Sequence, residues 1–534
     1  MDVVPPGTRA AHSQERKPGF RAPALNATAS TITLALIAAV VISSFLGRTR
    51  FEVIGYNVRL EQIAPVVLAG WMIVYPRLRT SFFSTLRHPV VVLFSIFLAW
   101  NVVSTLLFSP DYTWSASIIA WLAIDLLLLM SIMALRTGAT LAFTLGASTV
   151  VPWALLGVAV FILANVTNGA FSFGVAFDWL YEIYVARVTA IEANIFASIL
   201  MVWGIFSITR RRMSWWWILL QCVAIPLGLL ASQTRTAVVS MVGGLLVFAV
   251  LALIMTEGGW RSKLTRVAPA MALVVSLVGS YGAVALIETA ATPRTAQTPT
   301  AASETLSTRG DRGAPPYEPG SQERIEPQSA VTAVIAGATS SAAPTTVGST
   351  ASSTALGAAD PDPTPTPPPA QYVPDPTDPN RQNKIGDLRF EGGTIGFRIA
   401  VAQVAAEDMA GVNLWFGNGT NTFGLRHDQP NTSTPTTGHI IMLPVQVLYD
   451  AGIVGLALLL GLFVAVFAWT PRDRKPIAAG VLASFLVSST LTSFFWFAIT
   501  WIMIAVLLRP ADGDESRIVT VVRSVIASRK AGRS

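Results

Sequence analysis

"HIIMLPVQVLYDAGIVGLALLLGLFVAVFAW" occupies residues 439–469. After its first residue the stretch holds a single charged side chain, Asp450. About 20 apolar residues in a row cross the roughly 30 Å hydrocarbon core of a bilayer as a helix, so 441–469 reads as a membrane span. Pro444 suits the first turn of that helix, where its missing N–H is harmless. Two residues do not fit an inert anchor: Asp450 lies deep in the run and His439 stands at its mouth.

Working outward, similar runs lie near 30–47, 61–76, 89–108, 115–135, 141–165, 191–209, 214–232, 236–256, 267–288 and 477–508. The last has no charge between Lys475 and Arg509. One helix of that length would reach about 48 Å, so a hairpin folding at Ser488, Ser489 and Thr490 is expected. The total is about twelve spans, an all-α polytopic bundle. Composition agrees: of 534 residues 52% are hydrophobic and only 13% charged, where a soluble domain carries about 25% charge. Cys222 is the sole cysteine, so there is no disulfide framework, and no zinc-ligand cluster is present. The net charge of +7 comes from basic loops and tails, not from a nucleic-acid-binding module.

Lys and Arg in short loops set orientation. They fall in the N-terminal tail, at Arg77, Arg79 and Arg87, at Arg136, at Arg210–Arg212, at Arg261, Lys263 and Arg266, at Arg472, Arg474 and Lys475, and in the C-terminal tail. With twelve spans these all share one side, the cytoplasm, and both termini are expected there. One loop disagrees: 48–60 carries Arg48, Arg50 and Arg59 and is expected outside.

The chain then divides into a cytoplasmic tail (1–29), nine spans (30–288), an insert (289–383), an ordered outer loop (384–440), three last spans (441–508) and a second tail (509–534). The insert is rich in Thr, Ala, Pro and Ser, as in "PDPTPTPPPA" at 361–370, and cannot bury a core. In the ordered loop Ile395, Ile399, Ala402 and Ala406 recur at helical spacing and predict an amphipathic helix along the outer membrane surface.

On the outer side four residues draw attention: Arg187, Arg235, Arg398 and His439. Arginine at a membrane boundary also serves merely to snorkel to headgroups. Three arginines at the outer ends of spans nevertheless run against the charge rule and point to an anionic partner, because guanidinium pairs bidentately with phosphate. His439 precedes a helix N-terminus, whose dipole disfavours imidazolium, and a neutral imidazole there can serve as a general base. Asp450 and Asp125 read as buried polar groups of the bundle. Sequons at Asn165, Asn418 and Asn431 carry little weight.

Four stretches together resemble the O-antigen ligase and O-antigen polymerase family of bacterial membrane proteins. "SQTRTAVVSMVGGLL" (232–246) is similar to its Ser-Arg-Thr/Gly motif, with Arg235 at the arginine position. "ARVTAIEANIFASIL" (186–200) is similar to its Arg-x-x-Gly…Asn segment, matched by Arg187 and Asn194 with Ala190 in place of glycine. "FRIAVAQVAAEDMAGVNLWFGNGTNTFG" (397–424) resembles the loop reading Arg…Trp…Gly-x-Gly-x-x-x-Phe, giving Arg398, Gly417, Gly419 and Phe423. "GHIIMLPVQVLYDAGIVGL" (438–456) resembles the closing His-Asn-x-x-Leu…Glu-x-Gly-x-x-Gly motif, matched by His439, Asp450, Gly452 and Gly455, with Ile440 replacing the asparagine. The resemblance covers about 187–460, and the insert has no counterpart in it.

The resemblance implies a glycosyltransferase in the bacterial inner membrane, serving cell-surface polysaccharide biosynthesis. It implies a donor glycan on undecaprenyl diphosphate and an acceptor hydroxyl on a glycan, a lipid or another envelope component. It implies no metal and no cofactor. His439 would take the acceptor's proton, and Arg187, Arg235 and Arg398 would hold the diphosphate. The rival reading is a transporter or flippase of lipid-linked glycan, against which stand the lack of internal repeats and the few charges deep in spans. A glycosyltransferase with a carboxylate base would use an early outer acid, for which Asp111 is the candidate.

Overall fold

The computed structural model describes residues 27–291, 393–427 and 440–509, apart from short gaps at 48, 54–55, 111, 170–176, 181–182, 191, 211–212, 441 and 491–494. Most of both tails, nearly all of the insert, Asp111 and His439 therefore lie outside the described residues.

The described chain is mainly helical. In order it forms α1 (Ala27–Phe45), α2 (Leu60–Val74), α3 (Pro76–Ser84), α4 (Pro89–Phe108), α5 (Tyr112–Ala134) and α6 (Arg136–Val166). Then come α7 (Ala193–Ile208), α8 (Trp215–Ala231), α9 (Arg235–Met255) and α10 (Trp260–Ala291). The last part holds α11 (Gly393–Glu407), α12 (Val412–Phe416), α13 (Phe423–Arg426), α14 (Leu443–Trp469), α15 (Lys475–Ser489) and α16 (Ala498–Leu508). Two antiparallel hairpins interrupt the helices, β1 (Arg50–Val53) with β2 (Tyr56–Arg59) and β3 (Phe177–Leu180) with β4 (Ile183–Ala186).

Among the described residues seven helices are long and apolar enough to cross a membrane: α1, α4, α5, α6, α9, α10 and α14. Five shorter apolar helices, α2, α7, α8, α15 and α16, stand at the other expected positions. By length and composition this is an all-α membrane protein. The charge-free run after Lys475 divides into α15 and α16 as its length requires. The second folds back, since Arg474 Nη1 donates to the Val506 carbonyl at 2.6 Å.

The sequence accounts for the close packing. Without a hydrophobic drive between helices in lipid, small residues let backbones approach. Gly244 of α9 meets Gly480 and Ser484 of α15, and a Cβ on either glycine would strike the other helix. Arg59, from the 48–60 loop that disagrees with the charge rule, is a partly buried group in the bundle. Its guanidinium lies 3.4 Å from the Glu61 carboxylate and 4.8 Å from the Trp121 ring centroid.

Helices α4 and α14 run antiparallel. His88, before α4, stacks edge-on against Trp469 at the end of α14, while Trp100 and Ser104 of α4 bond to the Asp450–Ala451 carbonyls of α14. At this second level α14 is broken: Gly452 has φ 67° and ψ −170°, far from helical. Its positive φ favours glycine. A Cβ there would run into the Trp415 carbonyl, and one on Gly417 (φ 86°) would run into the backbone at Asp450. Two glycines from different parts of the chain thus permit one close crossing.

Replacing Gly452 by Ala should therefore destabilise the protein by about 3 kcal/mol or more, combining left-handed strain with the clash. Gly461 lies on the same helix with nothing near its missing Cβ, so Gly461→Ala should be neutral or slightly stabilising. Thermal unfolding of both variants in detergent checks this. Equal melting temperatures would mean that the break does not need a glycine.

Candidate functional site

The break in α14 frees the carbonyls of Tyr449, Asp450 and Ala451 from their i+4 partners. Buried backbone groups must find others, and in a membrane the requirement is stricter. The loop 417–422 supplies them. Asn418 N–H donates to the Tyr449 carbonyl at 2.7 Å and Gly419 N–H to the Asp450 carbonyl at 3.2 Å. Ser104 Oγ adds a bond to Asp450 O at 2.6 Å, and Trp100 Nε1 donates to Ala451 O at 2.8 Å.

The Asp450 carboxyl joins the same network. Asn421 N–H donates to one oxygen at 3.1 Å, and Gln446 Nε2 to the other at 2.7 Å. Gln446 Oε1 accepts the N–H of Ile440, the residue after His439. Asp450 therefore connects the loop to the mouth of α14 through one side chain. On the far side of the loop, Thr420 N–H donates to Thr105 Oγ1 at 3.1 Å, and Ser115 Oγ donates to Thr420 O at 2.6 Å. Asn418, Thr420, Asn421 and Thr422 are all buried, so this polar loop sits inside the bundle. The Asn418 sequon is enclosed with it.

Helix α11 packs on the entrance of α14. Val401, Val404 and Ala405 form a small cluster with Phe423, Ile440 and Tyr449. Arg398 shares that face by helical spacing and is 8% exposed. The opposite side is open: Ile399 is 52% exposed and Ala406 is exposed as well. Helix α11 thus lies against protein on the side of Val401, Val404 and Ala405, and leaves Ile399 outside. Below α11, Asp408 Oδ2 is shared by His427 Nε2 and the Tyr449 hydroxyl, each at 2.8 Å.

Arg187 and Arg235 belong to a second contact. Thr234 Oγ1 donates to Asn194 Oδ1 at 3.3 Å, joining the start of α9 to the start of α7. Arg187 follows β4, and Thr189 Oγ1 donates to the Phe45 carbonyl at 2.6 Å, pinning this turn to α1. Arg235 is exposed at the first position of α9. Both arginines have strained neighbours. Val188 has φ 55° and Gln233 has φ 53°, and Asn421 in the buried loop has φ 59°. A β-branched residue at positive φ costs roughly 1–3 kcal/mol, and such strain gathers at functional sites.

The structure thus links the Arg187 and Arg235 segments to each other, and brings the Arg398 helix to the mouth of α14, next to the residue that follows His439. The sequence reading missed the loop's partners in α4 and the Asp408–His427–Tyr449 group. A signal for the first was available: Asn101, Ser104 and Thr105 are polar residues clustered within about one turn of a mainly apolar span. Comparison with models of known protein families and with curated protein sequences finds no match.

Asp450→Ala should release the loop. It leaves the buried N–H of Asn421 and the Gln446 amide without an acceptor, about 1–3 kcal/mol for each. Amide hydrogen exchange at 418–422 should rise at least about tenfold, with a smaller rise in Asp450→Asn, which keeps one acceptor oxygen. Unchanged protection in Asp450→Ala would show that this side chain does not hold the loop.

Proposed function

We propose that this chain is a metal-independent glycosyltransferase of the O-antigen ligase or polymerase type. It has twelve spans in the bacterial inner membrane, with both termini cytoplasmic. It moves a glycan from undecaprenyl diphosphate to an acceptor hydroxyl on the extracytoplasmic face. One observation carries the reading: stretches that resemble the family's signatures touch in pairs. The Gly417–Phe423 loop bonds to Asp450, and the Arg235 segment bonds to Asn194.

In this reading His439 removes the proton from the acceptor hydroxyl. The acceptor oxygen attacks the anomeric carbon as the sugar–phosphate bond breaks, with inversion. The electron pair leaves with the lipid diphosphate, whose growing charge is met by Arg187, Arg235 and Arg398 and by the N-terminal ends of α9 and α14. Electrostatic stabilisation of that kind needs donors fixed in advance, and the network around Asp450 supplies rigidity at the mouth of α14. His427 is a positioning group, tied to Asp408 and packed 4.7 Å from the Phe423 ring.

A flippase of lipid-linked glycan is the second reading. A span broken at Gly452 and buried carboxyls at Glu61, Asp125 and Asp450 are features that transporters share.

His439→Ala should lower transfer by about 10²–10⁴-fold, as loss of a general base does, while the protein still inserts. His427→Gln, at a positioning group, should cost less than His439→Ala. The assay uses purified protein, lipid-diphosphate donor and acceptor. Wild-type turnover in His439→Ala, or a larger loss in His427→Gln, would move the base away from His439.

Arg187→Lys, Arg235→Lys and Arg398→Lys keep the charge but lose the bidentate fork, so each should cost about ten- to hundredfold. EDTA should leave turnover unchanged. Neutral lysine variants at all three positions, or inhibition by the chelator, would contradict a metal-free arginine clamp.

A further inference from the structure

At the other end of α7, α9 and α14, away from the buried loop, lies a cavity of about 690 Å³. Its wall includes Arg210, Arg266 and Arg472, with the hydroxyls of Thr209, Ser262 and Thr265. We infer that this cavity binds the phosphodiester headgroup of an anionic phospholipid from the leaflet on the basic side of the bundle.

Arg266 serves the frame: Nη1 donates to Thr256 Oγ1 at 2.9 Å and Nη2 to the Asp473 carbonyl at 2.6 Å, holding the ends of α9 and α14 beside α10. Arg472 is available in a way Arg266 is not. Its side chain is 77% exposed, and its contact with the 86%-exposed Glu257 carboxylate is 3.8 Å. A pair so open to solvent contributes little and yields readily to a phosphate. Arg210, just after α7, lines the same wall with its guanidinium 5.9 Å from the Phe143 centroid. Glu257 and Asp473 are acids in the same wall, but Lys263 and Arg261 on the first turn of α10 keep the surroundings basic.

Depth decides for a lipid source. Tryptophan collects at the membrane–water interface, and exposed tryptophans stand within three positions along the chain of the lining residues Met213, Ile218, Ser262 and Arg472. Trp215 and Trp216 are stacked at the start of α8, 60% and 63% exposed. Trp260 opens α10 and Trp469 closes α14, 65% and 55% exposed. Beside them Leu219, Val223, Val250 and Ile254 turn outward from α8 and α9, a surface suited to acyl chains. Basic pockets between spans at this depth recognise anionic headgroups.

The test titrates full-length detergent-purified protein with phosphatidylglycerol and follows bound lipid by native mass spectrometry. One phosphatidylglycerol should bind saturably, and phosphatidylcholine should not. The double variant Arg210→Gln/Arg472→Gln should weaken binding roughly thirtyfold, about fivefold from each charge. Arg79→Gln, on the basic helix α3, should bind as wild type. Glu257→Gln removes the competing partner of Arg472 and should tighten binding, a gain that misfolding cannot mimic. Wild-type affinity in the double variant, no gain in Glu257→Gln, or equal uptake of phosphatidylcholine would overturn the site. Displacement of the lipid by millimolar inorganic phosphate would assign the cavity to a soluble phosphate and overturn the lipid.

Discussion

A helix broken inside a membrane must have its freed carbonyls answered by protein, and this chain answers them with a loop. Tyr449, Asp450 and Ala451 would otherwise present three unpaired acceptors in the bundle. The backbone of Asn418 and Gly419, with Ser104 and Trp100 of α4, takes all three. Every feature of the region follows from this constraint. The loop must be polar, so it must be buried in protein and not in lipid. It must come close, so Gly417 and Gly452 face each other. The carboxyl of Asp450 must be satisfied in turn, and Gln446 and Asn421 do that.

The consequence is a rigid mouth on α14. Gln446 reaches from Asp450 to the Ile440 backbone, so the residue beside His439 is fixed by the same network that closes the helix break. Helix α11 delivers Arg398 to this place through Val401 and Ala405. Arg187 follows β4 and Arg235 opens α9, each within two residues of a position held at positive φ. For the proposed transfer reaction, rigid elements are suited to the task, since donors already in place need no rearrangement when the charge develops. Seen as a whole, the bundle places the buried loop at one end and the basic cavity at the other.

Much of the fold was legible because apolar length is a strong signal. Each expected span has a helix at its place, and the run after Lys475 was too long for one helix. The break at Gly452 was not legible: a glycine among apolar residues in a span reads the same whether the helix continues or bends, and only the opposing Gly417 decides it. Which side of α11 meets protein was not legible either. Ile395 and Ile399 form as good a stripe as Val401 and Ala405, and periodicity alone does not say which side meets protein. Arg398 was singled out from sequence, yet its burial could not be, because charged residues are rarely buried unless tertiary contacts hold them there. The partners of the loop in α4 are distant in the chain, and single-sequence patterns carry no pairing information across such a distance.

Transfer and translocation differ in what becomes of the lipid diphosphate. The most direct measurement follows both halves of a doubly labelled donor, glycan and lipid, in proteoliposomes holding the purified protein and an acceptor. The account predicts that one undecaprenyl diphosphate is released for each glycan joined to acceptor, without movement of intact donor between leaflets. Donor that crosses the bilayer with its glycan still attached, and no free lipid diphosphate, would contradict it.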